Sequence, residues 1–202
     1  VATLNGSEKA ASSYILTHMN SFHAYPYCLA QGQANVGVMY QRGAAGLQQS
    51  DAEAFAWMNK AYHTDPHLAA IQLNLAKLYE TGSGTAANPA KTFQLTYQAA
   101  QQPYAPAQQY LANLYVNGVG TKVNVVKAAA WLFMALHTYQ HPDTAFYQKY
   151  VAACRPDSHA SDALHNADTT KAQLRQMKTQ LSAGELAQAK RLFQQLKRKQ
   201  QP

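Results

Sequence analysis

The sequence has 202 residues, of which 47% are hydrophobic and only 13% are charged. Disordered chains are rich in charge and poor in apolar residues, so this composition excludes disorder of the chain as a whole. The length is sufficient for a core without disulfide bonds, and two cysteines exclude a disulfide-stabilised scaffold. No apolar run approaches the roughly 18 residues that span a bilayer.

The net charge of +7 comes from one segment. From Lys171 to Pro202 there are eight lysines and arginines and one acid, Glu185, whereas the rest of the chain holds nine basic and nine acidic residues. Nucleic-acid-binding folds carry positive charge across the contact face, so this distribution is not typical of that class. The sequence begins at Val1 without a methionine, which indicates either processing or a shortened chain, and we expect any export signal to have been removed already. Together with the neutral, Gln- and Ala-rich body, this favours a periplasmic or secreted location.

The first predicted element is a helix over residues 7–22, because apolar side chains recur there at the spacing of one helix face. Tyr25-Pro26 is expected to end it, since the residue before a proline disfavours helix. We assign residues 1–27 to this N-terminal capping helix.

Residues 28–140 contain a pattern that occurs three times. Each unit has a tyrosine three residues before a glycine, and a bulky apolar residue 13 or 14 positions after that glycine. These residues are Tyr40, Gly43 and Trp57 in the first unit, Tyr79, Gly82 and Leu95 in the second, and Tyr115, Gly118 and Trp131 in the third. A period of 36 to 39 residues indicates a stacked array, with units at about 30–65, 66–102 and 103–140.

Each unit is predicted to begin with a helix that ends at the first glycine. In the second unit, Asp65 is expected to cap a helix that opens at Pro66 and runs to Glu80, and Gly82 is expected to end it. The corresponding helix of the third unit is expected at 106–116. A small residue three positions before each tyrosine predicts close approach of the partner helix; these residues are Gly37, Ala76 and Ala112.

A second helix is predicted to follow in each unit. Pro89 opens it in the second unit, behind Asn88 as the capping residue, and Asn124 caps it in the third. In the first unit, Ser50 and Glu53 predict a capping box. The two later helices are expected to run over about 89–101 and 125–139.

Residues 141–202 are predicted to form a C-terminal helical cap with a basic tail. We expect a helix at 143–153, a polar loop at 155–168, and helices at 169–180 and 183–199. The last helix should bury a stripe formed by Leu186, Leu192, Phe193 and Leu196. The end of the chain, from Lys197, is expected to fray.

The third unit carries the pattern Ala107, Leu111, Ala112, Tyr115, Gly118-Val-Gly120, Lys127-Ala128, Trp131 and Ala135. This pattern resembles the Sel1-like repeat, a relative of the tetratricopeptide repeat found in bacterial proteins. The resemblance covers residues 32–137, with departures at Gly32 and Val36 in the first unit. It implies an all-α fold: a right-handed superhelical α-solenoid of about three helix hairpins between capping helices.

The resemblance also implies a function. Such arrays act as non-enzymatic protein-binding adaptors or scaffolds through their concave face, and some bacterial members are immunity proteins that neutralise secreted lipase or phospholipase toxins. We therefore expect a protein partner, a monomer when free, no nucleic acid, no cofactor and no enzymatic activity. One alternative is a beta-lactamase-like or penicillin-binding enzyme, although the in-repeat cysteine pairs of those relatives and a Ser-x-x-Lys motif are missing. Another is a binder of anionic lipid or nucleic acid through the basic C-terminal helix.

Candidate partner-binding residues lie on the first helix of each unit, on the side away from the tyrosine. Amides can hydrogen-bond to a main chain, and tyrosine offers contact area at low entropic cost. The candidates are Asn35, Val38, Asn74, Lys77, Tyr110 and Asn113.

Two His-x-x-x-His pairs, at His63 and His67 and at His137 and His141, occupy equivalent places in the first and third units, at the predicted inter-repeat turn. Histidines four residues apart on a helix can bind zinc, but Pro66 and Pro142 interrupt these helices. We interpret the four histidines as helix-end and turn residues, and predict no metal site.

The two cysteines, Cys28 and Cys154, flank the three units. Stacked hairpins advance by about 10 Å each, whereas a disulfide requires Cα atoms within about 7 Å. A bond would therefore require the C-terminal part to fold back, and we expect two thiols instead.

Overall fold

The computed structural model describes residues 26–44, 46–142 and 161–200, and every regular element in these ranges is an α-helix. In chain order the helices are α1 Pro26–Arg42, α2 Asp51–Thr64, α3 Ala69–Thr81, α4 Pro89–Ala100, α5 Ala105–Asn117, α6 Val125–Gln140, α7 Ser161–Gln180 and α8 Ala183–Gln200. The predicted helices over 7–22 and 143–153 lie outside the described residues, as do the side chain of Cys28 and the whole of Cys154. None of the described helices combines the length and the apolar character needed to cross a membrane.

The predicted glycine ends of the first helices are confirmed. Gly82 and Gly118 follow α3 and α5 in the left-handed conformation, with φ of 73° and 70°. In both cases the N–H of the next residue donates to the carbonyl five residues earlier, over 3.1 Å, which completes a Schellman turn. A glycine is favoured here because a Cβ atom disfavours positive φ.

The predicted caps of the second helices are confirmed in the third repeat and half confirmed in the first. The Asn124 side chain accepts from the N–H of Lys127 over 2.9 Å at the start of α6. Ser50 Oγ accepts from the N–H of Glu53 over 3.2 Å at the start of α2. The second hydrogen bond of a capping box, from the Ser50 N–H to the Glu53 side chain, is replaced. The Ser50 N–H donates to the carbonyl of Tyr40 over 3.0 Å instead.

The predicted start of the second repeat at Asp65 and Pro66 is wrong, since α3 begins at Ala69. Asp65 follows α2 in extended conformation, as expected of a residue before proline, and its carboxylate accepts from the N–H of His67 over 3.0 Å. Leu68 takes the capping position and buries its side chain, so that apolar burial replaces a polar cap.

The predicted loop at 155–168 is wrong from residue 161 onward, where α7 begins. The segment is polar, but a narrow inward face is enough to hold it as a helix. That face consists of buried residues spaced by three or four positions, namely Ala167, Thr170, Leu174 and Met177.

The predicted fraying from Lys197 is also wrong as far as Gln200, because α8 continues to that residue. The amide nitrogen of Gln200 donates to the carbonyls of Ala100, Gln101 and Gln102 over 3.0, 3.0 and 3.2 Å. Ala100 is the last residue of α4, where a helix leaves carbonyls without intrahelical donors, and Gln101 and Gln102 follow it directly. The last turn of α8 therefore caps α4.

The apolar stripe predicted for α8 is only half covered. Ala189 is the buried residue of this helix, whereas Leu186, Leu192, Phe193 and Leu196 are half-buried. At the start of α8, the Ser182 N–H and hydroxyl donate to the Glu185 carboxylate over 2.9 and 2.7 Å, and these bonds lower the pKa of that carboxyl group.

The chain divides into two compact units at the boundary between Asn88 and Pro89. In the first unit α1 packs along α2, and a Cβ atom at Gly37 would lie 3.0 Å from the carbonyl oxygen of Ala54. This confirms the close helix approach predicted at Gly37. In the second unit α5 packs along α6, α4 against α5, and α7 and α8 against α6.

Candidate functional site

The loop of each repeat is closed by one backbone hydrogen bond. The residue that precedes the second helix donates its N–H to the carbonyl of the repeat tyrosine, so that the tyrosine fixes the loop by its main chain. The bonds are Ser50 to Tyr40 at 3.0 Å, Asn88 to Tyr79 at 2.8 Å, and Asn124 to Tyr115 at 2.9 Å.

The rings of two repeat tyrosines contact the second helix of the preceding repeat. Phe55 meets Tyr79 edge to face, with ring centroids 5.5 Å apart and planes at 81°. In the second unit Phe93 meets Tyr115 in the same way, at 5.4 Å and 84°. The tyrosines are therefore structural residues, as the repeat pattern predicts.

The second glycine of the loop makes an equivalent junction. A Cβ atom at Gly84 would overlap the carbonyl oxygen of Asp51, the first residue of α2, and come within 2.8 Å of Phe55 Cβ. A Cβ atom at Gly120 would overlap the carbonyl oxygen of Pro89, the first residue of α4. Both glycines have positive φ, 71° and 66°, so each position requires glycine for two reasons.

The bulky residues predicted for the second helices differ in burial. Trp131 and Leu95 are buried, with 3% and 7% of their surface exposed. Trp57 is half-buried, and the ammonium group of Lys60 lies 4.8 Å from its ring centroid. The ring of Trp131 meets Tyr97 edge to face, at 6.3 Å.

Sequence reasoning missed a set of buried glutamines, Gln33, Gln72 and Gln108, each seven residues before the repeat tyrosine. The side-chain oxygen of Gln33 accepts from the hydroxyl of Thr64 over 2.7 Å, and that of Gln108 accepts from Thr138 over 2.9 Å. Both threonines stand seven residues after the repeat tryptophan. The signal was present as a repeat of polar residues, but a search for apolar periodicity passes over it.

The six candidate partner-binding residues lie at two equivalent positions, five and two residues before the repeat tyrosine. Four of them lie on α1 and α3 of the first compact unit, and two lie on α5 of the second compact unit. Asn35 and Lys77 are exposed, and the other four are half-buried. The two residues between each pair are buried, namely Val36 and Gly37, Leu75 and Ala76, and Leu111 and Ala112. The candidates are Asn35, Val38, Asn74, Lys77, Tyr110 and Asn113.

Electrostatics distinguish Lys77 among these residues. Its side chain as a whole is exposed, but protein atoms around the ammonium group partly exclude water and lower its pKa. The carboxylate of Glu80 opposes this shift.

Three tyrosines of the second compact unit hold their protons: Tyr115 is buried, and Tyr104 and Tyr139 are half-buried. Burial raises the pKa of Tyr104 and Tyr139, and it raises the pKa of Tyr115 together with the nearby Tyr97. Their hydroxyl groups are therefore neutral at physiological pH and contribute packing, not acid–base chemistry.

The predicted helix-end histidines differ in their surroundings. His63 and His67 are exposed, whereas His137 and His141 bring their ring centroids to 4.8 Å. Burial lowers the pKa of His137, and the positive charges of Lys197 and of His141 act in the same direction. Among the side chains that the structure describes, no three or more His, Cys, Asp or Glu residues are grouped as a metal site requires.

Helix pairs that repeat the same loop closure, the same aromatic contact and the same glycine junction define a helical repeat protein. The Sel1 repeat model matches residues 30–63, 69–104 and 105–136, which make up half of the chain. The chain belongs to the Sel1 repeat family. Sel1 repeats generally mediate protein–protein interaction and are typically non-enzymatic scaffolds.

Two solved structures are similar to the chain. A Sel1 repeat protein from Oxalobacter formigenes is 27% identical, with a TM-score of 0.54, and the match covers 70% of this chain and 56% of that one. A protective antigen present in uropathogenic Escherichia coli strains, which displays an SLR fold, is 20% identical with a TM-score of 0.48 over 85% of this chain and 38% of that one. This chain thus spans about half or less of the length of these structures. No curated protein matches it.

The family match and the Oxalobacter structure confirm the predicted all-α solenoid class.

Proposed function

We propose that this protein is a non-enzymatic adaptor that binds a protein partner through the exposed edges of the first repeat helices. The observation that carries the proposal is the recurrence of accessible residues at the same two positions in α1, α3 and α5, beside residues buried in the core. Accessible side chains held on a packed helix are ordered before binding, which lowers the entropic cost of association.

The surface of α5 offers the chemistry that suits a peptide main chain. Tyr110 and Asn113 stand one helical turn apart and are both half-buried. The neighbouring Gln109 donates to Gln173 of α7 over 2.8 Å, so α7 borders this surface on one side. Tyrosine is enriched at interface centres, and an asparagine beside it can pair with main-chain groups.

Site-specific photo-crosslinking tests this surface. A benzophenone amino acid at position 110 is expected to form a covalent adduct with the partner in the native cell. The same amino acid at the exposed Gln94 of α4 is the matched control and should not do so. Adducts of equal yield at both positions would remove the site assignment.

A quantitative test follows once the crosslinked protein is identified. With the purified partner, Asn113→Glu together with Tyr110→Ser should weaken binding by roughly 1,000-fold, because residues at an interface centre contribute about 2 kcal/mol or more each. Gln94→Glu together with Gln98→Glu, on exposed positions of α4, should leave the affinity unchanged. Calorimetry measures the affinity, and the melting temperatures show whether the folded state is intact.

A narrower form of this function is an immunity protein that binds and neutralises a secreted lipase or phospholipase toxin in the periplasm or outside the cell. The family membership and the accessible repeat positions support it. If a lipase is encoded beside this gene, the two purified proteins should form a stoichiometric complex without lipase activity. An active lipase in the presence of excess protein would exclude the immunity role and leave the adaptor function standing.

A further inference from the structure

Two depressions of about 450 and 390 Å³ lie where α8 packs on α6 in the second compact unit, and together we call them the groove. Arg191 of α8 lines both of them. The first depression also contains Lys127 and Leu192, and the second contains Phe133 and Phe193.

The floor of the groove is apolar. Leu192 and Phe193 are half-buried, and the rings of Phe133 and Phe193 lie 6.0 Å apart. Packing against α6 buries Ala189 of α8 and leaves the larger apolar residues of that helix partly accessible. This surface is typical of a position that receives an apolar side chain.

The walls of the groove are basic. Lys127, Lys190 and Arg191 line it, and the described lining contains no acidic residue. The acidic residues of this unit whose side chains are described have other partners: Asp168 pairs with Lys171 at 2.9 Å, and Glu185 accepts from Ser182. The positive charge at the groove is therefore not compensated by those carboxylates.

We propose that this groove binds an acidic peptide segment of a protein partner, in which aspartate or glutamate side chains flank an aliphatic or aromatic anchor. The anchor enters the first depression beside Leu192, where acidic side chains of the same peptide meet Lys127 and Arg191, and Lys190 adds positive charge at the second depression. Complementary charge steers such a segment to the groove, and burial of the anchor holds it there. The inference extends beyond the proposed adaptor function, because the groove lies on α6 and α8, which carry none of the six repeat positions.

The arrangement fits a peptide better than a membrane or a nucleic acid. Leu192 and Phe193 are half-buried between two helices, so they are not exposed for insertion into a bilayer. The aromatic rings are engaged, because Lys178 lies 5.5 Å from the Phe133 centroid and His137 lies 5.9 Å from that of Phe193. They therefore do not offer the free faces on which bases stack.

Fluorescence anisotropy with defined probes tests the proposal. One fluorescein-labelled peptide of about four helical turns carries leucine and phenylalanine on one face between glutamates; a second has glutamine in place of every glutamate. The glutamate peptide should bind at least about tenfold more tightly, and the difference should shrink as salt screens the charges. Equal binding of the two peptides would overturn the proposal.

Variants then locate the site. Arg191→Glu should weaken binding of the glutamate peptide by about tenfold or more, whereas Lys199→Glu, which changes net charge equally at an exposed position of the same helix, should change it less than about twofold. Circular dichroism detects whether the reversed charge disturbs folding. If it does, Arg191→Gln takes the place of Arg191→Glu and should give a smaller loss of binding. Equal losses in Arg191→Glu and Lys199→Glu would overturn the proposal.

Two further probes separate the other classes of partner. Tight binding of phosphatidylglycerol vesicles, or of a single-stranded oligonucleotide, that depends on Arg191 while the glutamate peptide does not bind would also overturn it. None of these results bears on the surface of α1, α3 and α5, which the crosslinking experiment tests separately.

Discussion

The ring of Phe93 on α4 meets the ring of Tyr115 on α5 edge to face, and Phe55 meets Tyr79 with nearly the same geometry one repeat earlier. The second helix of one repeat and the first helix of the next thus share one aromatic contact, which occurs once in each compact unit. The tyrosine that marks each of these repeats in the sequence serves the junction with the repeat before it.

This contact predicts a measurable coupling. In a double-mutant cycle, Phe93→Leu and Tyr115→Leu should be non-additive by about 0.5–1.5 kcal/mol of unfolding free energy, the range for edge-to-face pairs. Phe93→Leu combined with Phe133→Leu, whose ring contacts Phe193 instead, should be additive. Urea denaturation measures both cycles, and coupling of equal size in the two would contradict a specific ring contact.

Substitution of glycine by alanine should have opposite effects in the repeat loops and in the middle of α1. Gly84→Ala and Gly120→Ala should each destabilise the fold by at least about 1–2 kcal/mol, from the cost of positive φ alone, and backbone overlap adds to this. Gly32→Ala should stabilise it by about 0.5–1 kcal/mol, because a Cβ atom in the middle of α1 meets nothing within 4 Å. Thermal melts of the three variants check the signs. A neutral Gly120→Ala would show that the junction is looser than described.

The hydrogen bond between Gln108 and Thr138 predicts that the two single substitutions are not additive. Together they should reduce the unfolding free energy by less than the sum of their separate effects. Gln108→Leu leaves the Thr138 hydroxyl without this acceptor and the α4 carbonyls without this donor, and should cost about 1–3 kcal/mol. Adding Thr138→Val should cost less than it does in the unaltered chain, since both partners are then apolar. The control Gln94→Leu, at an exposed position, should stay within about 0.5 kcal/mol of the parent.

His137 predicts a loss of stability in mild acid. Its pKa in the folded chain is lowered from 6.5, so the unfolded chain takes up the proton first as the pH falls. The contribution of His137 to the unfolding free energy is therefore complete above pH 6.5, and it decreases as the pH falls from there toward the folded pKa. The slope of stability against pH in this window should be smaller in His137→Gln than in His67→Gln, which changes an exposed histidine. Equal slopes would contradict a desolvated His137.

Much of the repeat could be predicted because its signals are local. Gly82, Gly118 and Asn124 act through their own backbone conformation or through an N–H three residues away, and the structure confirms all three. The cap at Asp65 failed because burial of Leu68, a tertiary effect, decided where α3 begins.

The misjudged C-terminal features have non-local causes. Gln200 is ordered by carbonyls about a hundred positions earlier in the chain, a relationship that no window of sequence contains. The groove between α6 and α8 also depends on which residues a distant helix leaves uncovered. The six candidate partner-binding residues follow from register within single helices, and the structure shows that they are accessible. Their role in binding is the subject of the crosslinking experiment.

The packing of Gly84 and Gly120 indicates where the chain can accept insertions and deletions of residues. Gly84 lies 33 positions after Asp51, and Gly120 lies 31 positions after Pro89. Each glycine nevertheless packs against that residue, which is the first of α2 and of α4 respectively. The difference equals the two extra residues of α2, which has 14 residues where α4 has 12. Natural length variation is thus absorbed inside a helix while the joint is kept. A duplicated copy spliced in from one such helix start to the next should therefore fit the array without redesign of its seams.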